Sequence, residues 1–493
     1  RNLRIKRHGE CAALSGNRAK VVSSTPAVAV ELTDCRLADT GDLRTIAAEC
    51  GTLTVPLDPQ VPDGEQIELF IARIPALSAQ APTDAFTVIA GGPGAASTEF
   101  YVSQEGAFSR IRRDRDIVLV DQRGTGRSNP LDCAEPPEDL DVVEYSAELV
   151  RQASRQCLSS LDADPRFFTT SVAVDDLDQL REALGYTQLN VYGVSYGTRV
   201  AQHYLRRYPD QTRSVILDGV VPADLPLGPA ISLDAQAAVE QMFARCEEDT
   251  ACSAAFPGLR DGFDALAARL EDEPANVVLP DPQVGGITNQ LLSAPDFQAA
   301  VRLLSYSTET VSILPLVLHS AYANDDLTPL AAQAAMVTRR TNEMLSYGMH
   351  NAVVCTEDVP FYDAAAIERA ALERTYLGAT MLDGLSDICS VWPAGVIDED
   401  FKTPVESDRP VLILSGSADP VTPAAYGERI RPSLGVNEHI IVEGQGHGQA
   451  GIGCVPKLLG EFVATPDPAA LDTSCLDAVG PAPFFTSFAG PEP

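Results

Sequence analysis

The chain has 493 residues, 45% of them hydrophobic and 21% charged, an ordinary globular composition with room for one large core and a second, smaller domain. Its net charge of −33 repels phosphate backbones and anionic lipid, which argues against nucleic acid as a partner. No apolar run reaches the roughly 18–20 residues of a membrane span, so no membrane span is expected.

Residues 1–20 are basic and polar and lack the apolar stretch of a signal peptide. Residues 1–44 are set apart as an N-terminal extension. Residues 52–57 and 67–74 alternate apolar and polar positions and predict early strands. The short apolar runs 86–90 and 117–120 predict buried strands that lead into glycine-containing turns. Val174, Leu177, Leu180 and Leu184 recur at helical spacing, with Thr170 or Ser171 as the expected cap. A strand over 188–192, a helix over 196–208 and a strand over 214–217 follow. Residues 222–405 are helix-rich, with loops such as 280–286, and read as a lid. Strand signals return at 411–414 and 440–442. Strands alternating with amphipathic helices predict an α/β fold with a mostly parallel sheet covered on both faces. The expected division is a core over 45–221 and 406–478, interrupted by the lid at 222–405 and ending in a tail over 479–493.

Eleven cysteines are spread along the chain without a C-x-x-C pair, and the six histidines do not cluster with them. A zinc site therefore has little support, and an oxidising compartment is expected, outside the cytoplasm in the secreted or periplasmic space. Pairing neighbours along the chain joins Cys35 with Cys50, Cys133 with Cys157, Cys246 with Cys252, Cys355 with Cys389 and Cys454 with Cys475, leaving Cys11 over. Spacing alone does not dictate that connectivity.

The chemistry is carried by four short motifs. Gly193-Val194-Ser195-Tyr196-Gly197 is a G-x-S-x-G sequence between a predicted strand and a predicted helix, the setting of a nucleophile elbow. The small residues at 193 and 197 let the chain turn sharply and expose Ser195 at the apex. Ala90-Gly91-Gly92-Pro93-Gly94 follows an earlier strand and lets backbone approach a substrate closely. The amides of Tyr196 and Gly92 are the expected oxyanion donors, since Pro93 has no N–H. Asp419 follows the strand at 411–414, and His447 lies in a glycine-flanked loop after the strand at 440–442. His439 competes but precedes its strand, and His203 lies on the helix behind Ser195. Serine is a weak nucleophile and needs a base within reach. His447 is that base, and Asp419 orients and stabilises it, in the chain order Ser, Asp, His of α/β-hydrolases.

These motifs resemble a known family. The segment from Glu49 to Asp58 resembles the corresponding part of secreted tripeptidyl-aminopeptidase-type hydrolases. Gly91-Gly92-Pro93-Gly94, Asp121-Gln122-Arg123-Gly124-Thr125-Gly126-Arg127-Ser128 and the serine motif resemble prolyl iminopeptidases. Leu217-Asp218-Gly219-Val220, the stretch from Gly416 to Pro423, and Gly446-His447-Gly448 continue the likeness from about Cys50 to Cys475, weakest in the lid. Ala90 departs from the histidine that prolyl iminopeptidases usually show there.

The resemblance implies an α/β-hydrolase that removes short units from peptide N-termini, or a related carboxylesterase on small esters, through an acyl-enzyme and with no metal or organic cofactor. It also implies a lid acid that binds the substrate ammonium. Glu357, two residues after Cys355, is the candidate, with Asp358 next. The expected partner is a peptide or small ester, and no pattern points to an oligomeric state. The complete triad and glycine loop argue against a non-catalytic binding protein on this scaffold.

Overall fold

The apolar runs become strands of one sheet in a computed structural model, described for residues 30–41, 43–133, 146–280 and 286–491. The strands are β1 (Thr33–Ala38), β2 (Thr45–Pro56), β3 (Gln66–Ile74), β4 (Asp84–Ile89), β5 (Ile117–Val120), β6 (Gln188–Val194), β7 (Thr212–Asp218), β8 (Ala275–Pro280), β9 (Ile287–Leu292), β10 (Val411–Gly416) and β11 (Asn437–Val442). Nine of them form a sheet in the order β1-β2-β3-β5-β4-β6-β7-β10-β11. Pairing is antiparallel from β1 to β5 and parallel from β5 to β11. Central strands β4, β6 and β10 are buried along nearly their whole length, as parallel strands covered on both faces must be.

Two apolar cores lie on the two faces. One gathers Ile71, Val191, Val200 and Leu217; the other gathers Phe86, Phe108, Tyr192 and Phe462. The order of the parallel strands places the carboxyl ends of β4, β6, β7, β10 and β11 along one edge of the sheet, where ligands bind in open α/β sheets.

Several expectations are corrected here. The extension contains a strand: β1 pairs with β2 in register Cys35↔Ala48, and the Cys35–Cys50 disulfide ties the two. The lid is not purely helical, because β8 and β9 form an antiparallel hairpin. Most of the loop expected at 280–286, and Cys11, lie outside the described residues. The cap of the helix Thr170–Ala183 is Thr169, and it makes no side-chain capping bond. His439 lies inside β11. Phe484 in the expected tail is buried in the lid core with Phe243 and Phe263, and the Phe485 amide donates to Ser312 O at 3.0 Å. The lid helix Tyr347–Glu357 buries Met349, Ala352 and Val353 in the core beside the sheet.

The five neighbour pairs of cysteines are all disulfides. That is the state cysteines keep in an oxidising compartment.

Candidate active site

The strand β6 ends at Val194, and the helix Tyr196–Arg207 begins two residues later. Ser195 joins them at φ 55° and ψ −125°, a conformation that L residues adopt only when their surroundings enforce it. Three bonds do so. The Ser195 amide donates to Asp218 O at 2.9 Å, and the Thr198 amide and hydroxyl donate to Ser195 O at 2.9 and 2.6 Å. The flanking glycines are required by space. A Cβ on Gly193 would stand 2.2 Å from Gly197 O, and one on Gly197 would stand 2.3 Å from Ile89 O. Tyr196 is the first residue of its helix, where no carbonyl of the preceding turn is available to its amide.

The glycine loop runs directly past the serine. A Cβ on Gly91 would lie 2.9 Å from Ser195 Cβ. With alanine at 90, the loop is held through its own backbone groups: the Ala90 amide donates to the Ser97 hydroxyl at 3.3 Å, and the Ser346 amide from the lid donates to Gly94 O at 3.0 Å. Gly92 has φ +107° and lines the same cavity as Ser195 and Tyr196.

Asp419 and His447 meet across 28 residues of sequence: His447 Nδ1 lies 2.8 Å from Asp419 Oδ2. Asp419 also accepts from the Val421 and Thr422 amides at 2.8 and 2.9 Å and from the Thr422 hydroxyl at 2.8 Å. Its pKa is lowered: burial pushes it up, but the His447 charge and these donors outweigh that. His447 is raised above an ordinary histidine. Burial works against the charged ring, and Asp419 and then Asp218 overcome it. With Nδ1 engaged, Nε2 is the nitrogen left to exchange a proton. His447 lines a largely apolar cavity of about 410 Å³ together with Ser195, Gly92 and lid residues that include Leu303, Tyr306 and Met344.

The competing histidines are occupied elsewhere. His439 sits between Glu428 at 2.7 Å and Ser415 Oγ at 2.9 Å. His203 is buried and stacked on Phe401 at 4.1 Å.

Glu357 does not reach the cavity, which corrects its expected exposure to substrate. It is fully buried, accepting from Thr170 N at 2.7 Å and Thr170 Oγ1 at 2.9 Å, with Arg199 Nη1 at 3.6 Å. Burial raises its pKa to about 7. Asp358 is equally buried and pairs with Arg199 at 2.8 Å and Lys402 at 3.5 Å. Two acids and two cations close a cluster behind Tyr196, whose hydroxyl lies 2.7 Å from Thr170 Oγ1.

The chain is similar to several known proteins. Residues 85–252 match the alpha/beta hydrolase fold family and residues 374–475 the TAP-like protein family. Over 472 residues the chain is 28% identical to the serine protease Hip1 of Mycobacterium tuberculosis, covering 85% of each chain. It is 26% identical to the tripeptidyl aminopeptidase of Streptomyces coelicolor, covering 88% of this chain and 84% of that protein. It is 28% identical to carboxylesterase B of Mycobacterium tuberculosis, covering 81% of both. The chain is a serine hydrolase of the α/β-hydrolase fold.

Sequence reasoning missed several residues that support this hydrolase's site. Asp218 accepts from the Gln449 and Ala450 amides at 2.8 and 2.9 Å and from Tyr192 Oη at 2.7 Å, so it clamps the loop just past His447. Tyr306 holds the loop from the lid side: its carbonyl accepts the His447 amide at 2.7 Å, and its ring meets the imidazole edge-on at 5.3 Å. The sequence marks Asp218 only as part of the Leu217-Asp218-Gly219-Val220 motif at a strand end, without a role. Tyr306 carries no signal.

Proposed function

We propose that this hydrolase removes short units from the N-termini of peptides. Ser195 is the nucleophile, His447 the general base and Asp419 the orienting acid. The observation that carries the reading is a shared cavity. Ser195 and His447 line one cavity of about 410 Å³ together with residues such as Leu303, Tyr306 and Met344, the scale of a small-ligand pocket that can take a short chain end.

In the first half-reaction Ser195 Oγ attacks the carbonyl carbon while His447 takes its proton. The Tyr196 and Gly92 amides receive the oxyanion. His447 then returns the proton to the leaving amine, and water repeats the attack on the acyl-enzyme. The similarity to a tripeptidyl aminopeptidase and to Hip1 along most of the chain supports this choice. The disulfides support an exported enzyme.

A carboxylesterase is the second reading, and one observation favours it. Among the described residues that line the cavity none is Asp or Glu, so a substrate ammonium meets no carboxylate there. A paired screen decides: tripeptidyl and aminoacyl anilides, free and N-acetylated, against short p-nitrophenyl esters. Faster turnover of free than of acetylated anilides is expected. Equal rates on the two would remove the aminopeptidase and leave the esterase.

A further inference from the structure

The cavity that holds Ser195 and His447 is lined by a single Lys or Arg among the described residues, Arg302, and by no acid. In a chain with 69 acidic and 36 basic side chains, buried arginines such as Arg123 and Arg199 have carboxyl partners. Arg302 has none among the described residues. Its Nε is buried without a hydrogen-bond partner, and its guanidinium lies 5.6 Å from the Tyr306 ring. His350 Nδ1, in the same cavity, is likewise buried and unpartnered. Native interiors rarely leave a donor such as the Arg302 Nε unmatched unless something else supplies the acceptor.

We propose that Arg302 receives a carboxylate of the substrate, so that the enzyme selects peptides or esters that carry one. The planar guanidinium offers parallel N–H donors that match a carboxylate, and partial burial strengthens the pair relative to water. The net charge of −33 slows arrival of an anion but is screened over about 8 Å at physiological salt, so the group inside the cavity decides binding.

Position adds a second consequence. Arg302 lies over the ring of Tyr306, and Tyr306 packs on His447. Its positive charge opposes protonation of His447, which Asp419 and Asp218 favour. A carboxylate on Arg302 cancels that opposition and eases formation of the imidazolium in the transition state. The carboxylate is thereby felt in kcat as well as in KM.

The inference rests on the serine-hydrolase reading, and the test separates the two. Labelling of Ser195 by a fluorophosphonate and turnover of p-nitrophenyl butyrate check the reading itself, and failure of both overturns both. Two matched pairs then check Arg302. A tetrapeptide with a free C-terminal carboxylate is compared with its carboxamide, and p-nitrophenyl hemisuccinate with its methyl ester. In wild type, kcat/KM is expected to favour the carboxylate in at least one pair by about 10- to 100-fold, and which pair responds tells a peptide terminus from an acyl-chain acid. The ratio should collapse towards one in Arg302→Gln and persist in part in Arg302→Lys. Being a ratio within one enzyme, it is indifferent to a general loss of activity. Ratios near one in both wild-type pairs, or a preference that survives Arg302→Gln, overturn the proposal.

Discussion

Glu357 caps a helix of the core: its Oε1 accepts the Thr170 amide at 2.7 Å at the first residue of the helix Thr170–Ala183. An acid belongs at that end of a helix, where free amides and the helix dipole favour it. Glu357→Gln is therefore expected to lower thermal stability while leaving the preference between free and acetylated peptides where it is. A melting curve and the paired anilide assay read the two effects separately. Loss of the preference would return Glu357 to the substrate.

The same residue makes a pH prediction. Burial raises its pKa to about 7, above the ordinary glutamate value of 4.5. Between those values the folded state holds a proton that the unfolded state has released, so stability falls as pH rises through that window. Asp218 and Asp234, each raised by burial to about 6, act in the same direction. Buried His203, whose pKa is lowered, acts oppositely below its unfolded value. Relative to wild type, Glu357→Gln should flatten the decline in Tm between pH 4.5 and 7. Parallel curves for the two proteins would count against the raised pKa.

At the elbow, activity and stability should part company. Ser195→Ala is expected to remove nearly all turnover, a loss on the order of 10⁶. Ser195→Gly should be as inactive but more stable than Ser195→Ala by about 1 kcal/mol, because glycine adopts φ 55° without strain. Denaturant unfolding of the two variants measures the difference.

Asp419→Asn should lower kcat by about 10⁴, since the amide can hold His447 in the wrong tautomer. Activity requires neutral His447. Because Asp419 raises its pKa above the ordinary 6.5, the acid limb of wild-type kcat/KM should lie above that value. The limb of the residual Asp419→Asn activity should move to lower pH, as a pH–rate profile would reveal.

Disulfide loops of different length should differ in worth. Cys355–Cys389 closes a separation of 34 residues and Cys246–Cys252 one of 6. Loop-closure entropy gives about 4 and about 2 kcal/mol respectively. Double Cys→Ser variants compared by chemical denaturation should rank in that order.

The sequence by itself determined the candidate constellation. Ser195, Asp419 and His447 each lie just past a strand end in a short glycine-containing motif, and the geometry of a strand end is a local property readable from adjacent residues. The strands β4 to β7 and β10 were legible for a similar reason, as short, mostly apolar stretches. The disulfides join cysteines that are neighbours along the chain, but spacing left that connectivity open and the structure decided it.

What only the tertiary structure decided concerns partners far apart in the chain. Glu357 is 187 residues from Thr170, and the Arg199–Asp358 pair spans 159; no local spacing announces that these acids are already matched. The edge strand β1 depends on β2 for its hydrogen bonds, and the hairpin β8–β9 on packing within the lid. Arg302 reads as one more helix-surface arginine until folding places it in the cavity without an acid. A charge is a ligand-binding group or a structural one according to what folding brings within a few ångströms of it.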